Sequence, residues 1–254
     1  MAFARLLRIV VHLLAGAWTI RWIFPTLSEV QKNERIQAWS RALLAQLAIK
    51  LIVNGAPRPG PMLLVSNHIS WLDIVVIHAT GHCRFVSKAD VQRWPVVGML
   101  ATGAGTLYIE RESRRDALRV VHHMAERLQA GDVLAVFPEG TTGDGSTVLP
   151  FHANLLQAAI TAKAPVQPMA LHFADAATNA TSFDPCYIVE DTLLQSVWRT
   201  LRSRNLLAKV HYGIPQYAEG RDRRAWAADL RDAVIELRSV QMVPLTGIEP
   251  VSST

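Results

Sequence analysis

Strand-like and helix-like segments alternate along this sequence from residue 62 to residue 239. Short apolar runs, such as Met62–Ser66 and residues 133–137, are typical of strands that are buried on both faces. Amphipathic segments separate these runs, and the clearest is 113–129, where apolar residues recur every three or four positions. The alternation predicts an α/β fold with a mixed, largely parallel central sheet flanked by helices. Functional sites in such sheets form at the carboxyl ends of strands.

The N-terminal segment is apolar enough to meet a membrane. Residues 1–24 are rich in Leu, Ile, Val and Trp, but Arg8, His12 and Arg21 interrupt them. On a helical wheel, the basic side chains cluster near one side, which favours a helix that lies in the membrane interface with its arginines among the lipid phosphates. A single spanning helix, a cleaved signal peptide and an ordinary buried helix are the alternatives.

The chain divides into three parts. Pro25 ends the first helical pattern, and a second runs over residues 29–50. We therefore predict a two-helix membrane-associating motif over 1–54, an α/β domain over 55–241 and a loose tail over 242–254.

Composition restricts the function classes. The 254 residues carry a net charge of +5, with 50% apolar and 19% charged residues, which suits an anionic lipid surface or an anionic substrate. Nucleic acid is not expected, because no reader motif is present. Cys83 and Cys186 form no CxxC pair and are interpreted as reduced, buried thiols of a cytosolic protein. The sequence makes no prediction of oligomeric state.

The strand Met62–Ser66 runs directly into the segment Asn67-His68-Ile69-Ser70-Trp71-Leu72-Asp73. If His68 lies in the turn and Asp73 in the following helix, the carboxylate can fold back onto the imidazole. A carboxylate on one ring nitrogen fixes the tautomer and raises the basicity of the other, which can then accept a proton from an alcohol. The alternative is a capped helix start with His68 merely exposed.

Two further segments place polar residues just past strands. Arg111 follows the predicted strand 106–109 and suits bidentate phosphate binding, although it also begins a run of surface arginines. Glu139, Gly140, Thr141 and Thr142 follow the apolar run 133–137. This position favours an active-site loop, in which Glu139 holds an acceptor hydroxyl or orients Arg111, over a plain β-turn.

Together these segments resemble the motifs of the glycerolipid acyltransferase family, and most closely those of its bacterial 1-acyl-glycerol-3-phosphate acyltransferases. The first motif, N-H-x-x-x-x-D, is matched by Asn67, His68 and Asp73. The second, G-x-x-[FY]-I-x-R, ends at Arg111; the third, F-P-E-G-T, spans 137–141; and the fourth centres on Pro168. The likeness covers residues 60–173, and four motifs in the right order make it specific.

The resemblance implies a function as well as a fold. A fatty acyl group would move from acyl-CoA or acyl-carrier protein to the free hydroxyl of 1-acyl-glycerol-3-phosphate, giving phosphatidic acid for phospholipid biosynthesis. His68 would be the general base and Asp73 its partner, with no metal and no cofactor beyond the donor. The residues assigned to substrate binding are Asn67, Arg111, Glu139, Gly140, Thr141 and Thr142. The expected location is the cytoplasmic face of the inner membrane, as a peripheral or singly anchored protein.

The sequence departs from the family pattern at two positions, and both concern cations. Many members have Arg after F-P-E-G-T, where this chain has Thr142, and an F-K-x-G segment is replaced by residues 151–154. The acid–base residues are unaffected, but the acceptor head group is left open. A lyso-ornithine lipid or another lysolipid is the alternative acceptor, and a non-catalytic lipid-binding protein is the alternative function. A serine hydrolase is disfavoured because no G-x-S-x-G segment occurs.

Overall fold

The computed structural model describes residues 2–109, 114–188 and 191–242 of the chain. The helices of the described part are α1 (Ala2–Trp22), α2 (Glu29–Gln46), α3 (Leu72–Thr80), α4 (Val97–Gly103), α5 (Arg114–Gln129), α6 (Leu156–Ala162), α7 (Leu193–Arg202) and α8 (Arg223–Met242). The strands are β1 (Lys50–Asn54), β2 (Met62–Ser66), β3 (Arg84–Lys88), β4 (Leu107–Ile109), β5 (Val133–Val136), β6 (Val166–Asp175) and β7 (Leu206–Tyr212).

Within the described residues, these strands form one sheet in the order β1-β7-β6-β2-β5-β3-β4. All neighbouring pairs are parallel except β6 and β7, which are antiparallel. The predicted α/β fold with a mixed, largely parallel sheet is therefore confirmed. The division of the chain into three parts at residues 54 and 241 stays a prediction, and residues 243–254 of the predicted tail lie outside the described residues.

The sheet is covered on both faces because its central strands are apolar throughout. All five residues of β2 are buried, and successive side chains point to opposite faces. Leu64 joins the cluster that contains residues of α2 and α3, whereas Leu63 and Val65 join the cluster that contains residues of α5, α6 and α8. Burial of each such side chain contributes about 1.5–3 kcal/mol, so β2 is fixed in the middle of the sheet.

Three elements differ from the sequence prediction. The second helix ends at Gln46 instead of Lys50, and residues 50–54, assigned to the N-terminal motif, form the edge strand β1. Helix α7 was not predicted. Pro168, which suggested an edge strand or a bulge, lies in the interior strand β6. The Pro168 carbonyl accepts from the Gly213 N–H, just past the last residue pair of β6 and β7. Because the carbonyl and the N–H position of one strand residue point to the same side, the N–H that proline lacks would lie at the end of the β6–β7 ladder, where its absence is tolerated.

Helix α1 follows the helical-wheel prediction only in part, since Arg8 and Arg21 are exposed whereas Arg5 and His12 are not. Arg5 faces the protein, and its guanidinium donates to the carbonyls of Leu201 and Ser203 at 3.2 and 2.7 Å. The His12 ring contacts the Trp39 carbonyl at 3.0 Å. Arg5 is thus not available to lipid phosphates. Beside the exposed Arg8 and Arg21, the exposed side of α1 carries an apolar stripe, formed by Phe3, Leu7, Val10, Val11, Leu14, Trp18 and Trp22.

Among the residues that the structure describes, α1 is also the one helix whose length and apolar composition are sufficient to cross a membrane.

Candidate active site

The loop that follows β2 and the loop that follows β5 meet because β2 and β5 are parallel neighbours. Strand β2 ends at Ser66 and β5 at Val136, and Val65 is in register with Val136. The loops that follow therefore leave the same edge of the sheet side by side. This arrangement brings His68 of the first loop next to Phe137 and Glu139 of the second.

His68 and Asp73 form the pair that the spacing predicted. His68 lies in the loop, Asp73 lies in the first turn of α3, and the His68 Nδ1 atom is 2.8 Å from the Asp73 Oδ2 atom. The same oxygen accepts the N–H groups of Ile69 and Ser70 at 2.7 and 2.9 Å. Because Oδ2 already acts as an acceptor, Nδ1 carries the hydrogen and Nε2 keeps its lone pair for a proton.

The His68 ring is held on its face as well as on its edge. It stacks on Phe137 with ring centroids 3.9 Å apart and planes 6° from parallel. The side chain keeps 19% of its surface exposed, whereas that of Asp73 is fully buried. The imidazole is therefore fixed in orientation, with a partly open side for a reacting hydroxyl.

The backbone of His68 is also anchored. Its N–H donates to Glu139 Oε1 at 2.7 Å, and its carbonyl accepts from Gly143 N–H at 2.9 Å. Glu139 is 4% exposed, and its second oxygen, Oε2, accepts from Leu149 N–H at 2.9 Å. Burial raises the pKa of Glu139 above its ordinary value, against the lowering by the hydrogen bonds from Leu149 and His68. Both oxygens thus bind backbone, which places Glu139 against the backbone side of His68.

Asn67, which was assigned to substrate binding, joins two strands of the sheet. Its side chain is 2% exposed, its Nδ2 donates to the Leu171 carbonyl at 3.0 Å, and its Oδ1 accepts from the Leu171 N–H at 2.8 Å. The amide therefore continues the pairing between β2 and β6 for one residue beyond Ser66. The donor and the acceptor of the Asn67 side chain are therefore both bound to backbone inside the core.

The remaining predicted binding residues are only partly brought to the site. Gly140 has a φ of +73°, and its N–H closes a tight turn onto the Phe137 carbonyl. Thr141 is exposed, and the Thr142 hydroxyl donates to the Tyr187 carbonyl. Arg111 lies outside the described residues. At the position where the family pattern has a cation, the structure thus shows a hydroxyl that already has an acceptor.

His78 and both cysteines are buried, and His82 is partly buried. Burial lowers the pKa of His78 to about 3 and that of His82 to about 4, and it raises the pKa of Cys83 and Cys186. The two cysteines are buried free thiols, as interpreted from the sequence. Among the described residues, no three His, Cys, Asp or Glu side chains are grouped so that they can bind a metal ion.

Two contributors to the site were missed in the sequence. Phe137 was interpreted as the end of a strand, and its stacking on His68 depends on a strand pairing that the local pattern does not specify. Leu149 holds Glu139 from ten residues away through a backbone N–H, so its side chain gave no signal.

Comparison with known proteins gives consistent matches. The acyltransferase family profile matches residues 29–172. A lyso-ornithine lipid O-acyltransferase of Pseudomonas aeruginosa is 36% identical over 91% of this chain and 90% of its own length. A 1-acyl-sn-glycerol-3-phosphate acyltransferase of Neisseria gonorrhoeae is 34% identical over 84% of this chain and 88% of its own.

A solved structure shares the fold. The 1-acyl-sn-glycerophosphate acyltransferase of Thermotoga maritima superposes with a TM-score of 0.69 and 17% identity, covering 95% of this chain and 98% of that one. The family match contains the whole His68–Asp73 loop, the Glu139 loop and Pro168.

Proposed function

Because the chain belongs to the acyltransferase family, we propose that it transfers a fatty acyl group from a thioester to the free hydroxyl of 1-acyl-glycerol-3-phosphate. At the coarser level, the protein is an acyltransferase of the lysophosphatidic acid and lysolipid type. The observation that carries the proposal is the 2.8 Å contact between His68 Nδ1 and the buried Asp73 carboxylate, which leaves Nε2 partly open to the surface.

The reaction uses the two nitrogens of His68 for different tasks. Nε2 takes the proton of the acceptor hydroxyl as its oxygen attacks the thioester carbonyl, and the C–O bond forms. The imidazolium is stabilised by Asp73 through Nδ1. The C–S bond then breaks, and the proton passes from Nε2 to the leaving sulfur, so the products are an ester and a thiol. The donor is acyl-CoA or acyl-carrier protein, and no metal or further cofactor takes part.

We also propose that α1 associates with the cytoplasmic face of the inner membrane. Its apolar stripe is well exposed, with Phe3 at 76% and Trp18 at 58%. The Arg21 guanidinium carbon lies 4.6 Å from the centroid of the Trp22 ring, at the C-terminal end of α1. Such a cation–aromatic pair suits the head-group region of a membrane. The buried free thiols suit a reducing compartment. The lysolipid acceptor then enters from the same bilayer.

A lyso-ornithine lipid is the second candidate acceptor. The specific observation in its favour is the hydroxyl of Thr142, which stands where a phosphate-binding cation was expected and is bound to the Tyr187 carbonyl. A relative of that name also matches nine-tenths of the chain. An acceptor whose head group is an amino acid does not need a phosphate-binding cation at this position.

The test is transfer of a labelled acyl group to a panel of lysolipids. The purified protein receives acyl-CoA or acyl-carrier protein together with 1-acyl-glycerol-3-phosphate, lyso-ornithine lipid or lysophosphatidylcholine, and diacylated product is measured. We expect 1-acyl-glycerol-3-phosphate to react fastest and His68→Ala to lose about 10²–10⁴-fold in rate. His123→Ala, which removes an exposed histidine of α5, is the matched control.

The outcomes separate the alternatives. Product from lyso-ornithine lipid alone selects the second acceptor. Lysolipid binding without product from any donor indicates a lipid-binding protein. Full activity of His68→Ala would show that another group is the base.

A further inference from the structure

We infer that a basic cavity between residues 150–154 and helix α8 binds a phosphate group of the acyl donor. The inference rests on the proposed function, which requires a thioester donor. Acyl-CoA and acyl-carrier protein both carry their acyl group on phosphopantetheine, and the phosphate of that group is the proposed ligand.

The cavity exists because α8 presents small residues between large cations. Arg223 and Arg224 lie one helical turn before Ala227 and Ala228, and Arg231 lies one turn after Ala227. The two alanines leave space between the guanidinium groups, which the segment 150–154 closes from the other side. The resulting volume is about 500 Å³, within the range of small-molecule sites.

The side chains that line the cavity carry positive and no negative charge. Three arginines and His152 line the cavity, and no Asp or Glu does. Arg231 is fixed in place, because its Nε and Nη2 atoms donate to the carbonyls of Leu149 and Val148 at 3.1 and 2.8 Å. The side chains of Arg223 and Arg224 make no hydrogen bond or ion pair with the described residues, so their donors can turn to a ligand.

The nearby acids of this region have other partners. Asp222 accepts the backbone N–H groups of Arg224 and Ala225 at the start of α8, at 2.7 and 3.1 Å. Asp229 is paired with Arg221 at 2.8 Å. Asp232, whose side chain is 75% exposed, lies 3.7 Å from Arg231. Asp222 interacts with Arg223 and Arg224 only through charge at longer range, so the guanidinium groups of these two arginines keep their hydrogen-bond donors available for an anion.

A second cavity, at the amino ends of β3, β4 and β5, differs in how its arginines are paired. It measures about 760 Å³ and is also lined by arginines. There, however, Arg84 and Arg127 both bind the Asp132 carboxylate, with Nε–Oδ2 distances of 2.9 and 2.6 Å. Both arginines of the larger cavity thus share a carboxylate at short distance, whereas in the smaller cavity only Arg231 has an ion-pair partner, Asp232, at 3.7 Å.

The position of the basic cavity connects it to the base. Its wall begins at Pro150, directly after Leu149, whose N–H binds Glu139, and His152 N–H donates to the Pro138 carbonyl at 2.8 Å. The Glu139 carboxylate in turn holds the backbone of His68. The cavity therefore adjoins the loop that positions the base.

The layer in which the cavity lies favours a donor from solution. Helix α8 packs with α5 and α6 on one face of the sheet through Trp226 and Leu230, whereas α1 packs against α2, α4 and α7. The apolar stripe and the basic cavity thus belong to different layers. A water-soluble phosphate compound reaches this cavity more readily than a phosphate fixed in the bilayer.

The test compares two probes that differ by one phosphate. Binding of 4′-phosphopantetheine and of pantetheine to the full-length protein in detergent micelles is measured by isothermal titration calorimetry. We expect the phosphorylated probe to bind at least about tenfold more tightly, which corresponds to about 1.4 kcal/mol, because its phosphate accepts charge-assisted hydrogen bonds. The double variant Arg223→Gln/Arg224→Gln should lose this preference.

The control variant is Arg202→Gln/Arg204→Gln, which removes the same charge from exposed positions at the end of α7 and should keep the preference. Equal affinity for both probes, or a preference that survives in Arg223→Gln/Arg224→Gln, would overturn the inference. So would displacement of 4′-phosphopantetheine by 1-acyl-glycerol-3-phosphate, which would assign the cavity to the acceptor. The measurement needs no turnover, so its failure is distinct from failure of acyl transfer.

Discussion

Two buried carboxylates flank His68, and they act on different parts of the residue. Asp73, at the start of α3, binds the imidazole ring, whereas Glu139, after β5, binds the backbone N–H. Both are nearly inaccessible to solvent, at 0% and 4% exposure. Burial of a carboxylate is costly unless donors satisfy it, and here the donors are mostly backbone amides. The acid that contacts the imidazole ring and the acid that holds the backbone are therefore separate residues.

The two carboxylates also distribute their donors differently. Asp73 places three donors on Oδ2 and leaves Oδ1 buried without a hydrogen-bond partner. Glu139 uses one oxygen for each of two donors and so joins His68 to Leu149. The first arrangement keeps its contacts when one oxygen becomes an amide nitrogen. The second does not, and this difference can be tested by amide substitutions.

The largest effect is expected for Asp73→Asn. Two backbone N–H groups need an acceptor at the position of Oδ2, so asparagine should place its oxygen there and its amide nitrogen at the position of Oδ1. His68 then keeps its tautomer but loses the negative charge that stabilises the imidazolium. We expect kcat/KM to fall by about 10²-fold, less than the about 10⁴-fold that a wrong tautomer causes in serine proteases.

Steady-state kinetics measures this loss, and ¹⁵N NMR of the histidine rings reports the tautomer. A hydrogen found on Nε2 of His68 in Asp73→Asn would show that the amide is turned the other way and that the two backbone donors do not fix it.

An intermediate effect is expected for Glu139→Gln. Glutamine has one acceptor oxygen, so either His68 N–H or Leu149 N–H loses its partner and meets an NH₂ group instead. A buried donor without an acceptor costs about 1–3 kcal/mol. We expect lower stability in urea unfolding and a kcat reduced about tenfold. An unchanged unfolding midpoint together with a raised KM for the lysolipid would instead assign Glu139 to substrate binding.

The same variant has a pH signature. Burial raises the pKa of Glu139 in the folded protein above its value in the unfolded chain, so the folded state retains this proton to higher pH. The stability that this group contributes is fully present below the unfolded pKa and is lost as pH rises through the raised pKa. Glu139→Gln lacks this titration. The difference in unfolding free energy, wild type minus variant, should therefore fall as pH rises through that window, and a difference that rises would contradict the shift.

The smallest effect is expected for Phe137→Leu. The stacked rings of Phe137 and His68 contribute about 0.5–1.5 kcal/mol beyond the buried area. Leucine keeps an apolar contact but not the parallel plane, so both carboxylates retain their hydrogen bonds while the ring gains freedom. We expect about a threefold loss in kcat with little change in stability. A loss as large as that of Asp73→Asn would mean that the stack, and not the acid, determines the ring orientation.

Sequence patterns predicted those parts of the molecule in which the signal is local. The buried run of β2, the amphipathic pattern of α5 and the return of Asp73 onto His68 depend on residues close in sequence. Strand β1 was missed because the helical spacing of α2 extends into it. Four of its five residues are also exposed, so β1 is not a buried apolar strand. Helix α7 was missed although Thr192 and Gln195 form a capping box ahead of it, which is a recognisable signal.

The rest of the site depends on pairings between distant segments. The contact of Glu139 with His68 joins residues 71 positions apart, and the inward turn of Asn67 depends on its meeting Leu171 across two strands. Asparagine and glutamate suit a substrate as well as a backbone amide, so residue type alone does not decide between these roles. Strand order decides it.

The outward apolar stripe of α1 has a consequence for how rates depend on concentration. Helix α1 packs on the rest of the protein with one side and leaves Phe3 and Leu7 exposed to water. The protein therefore gains free energy when this exposed side binds to lipid. Enzyme and lysolipid then meet in two dimensions, and the relevant quantity is the fraction of lysolipid in the bilayer. Adding inert lipid should lower the fraction of lysolipid in the bilayer around each enzyme, and with it the rate, even when the amount of lysolipid per millilitre stays constant.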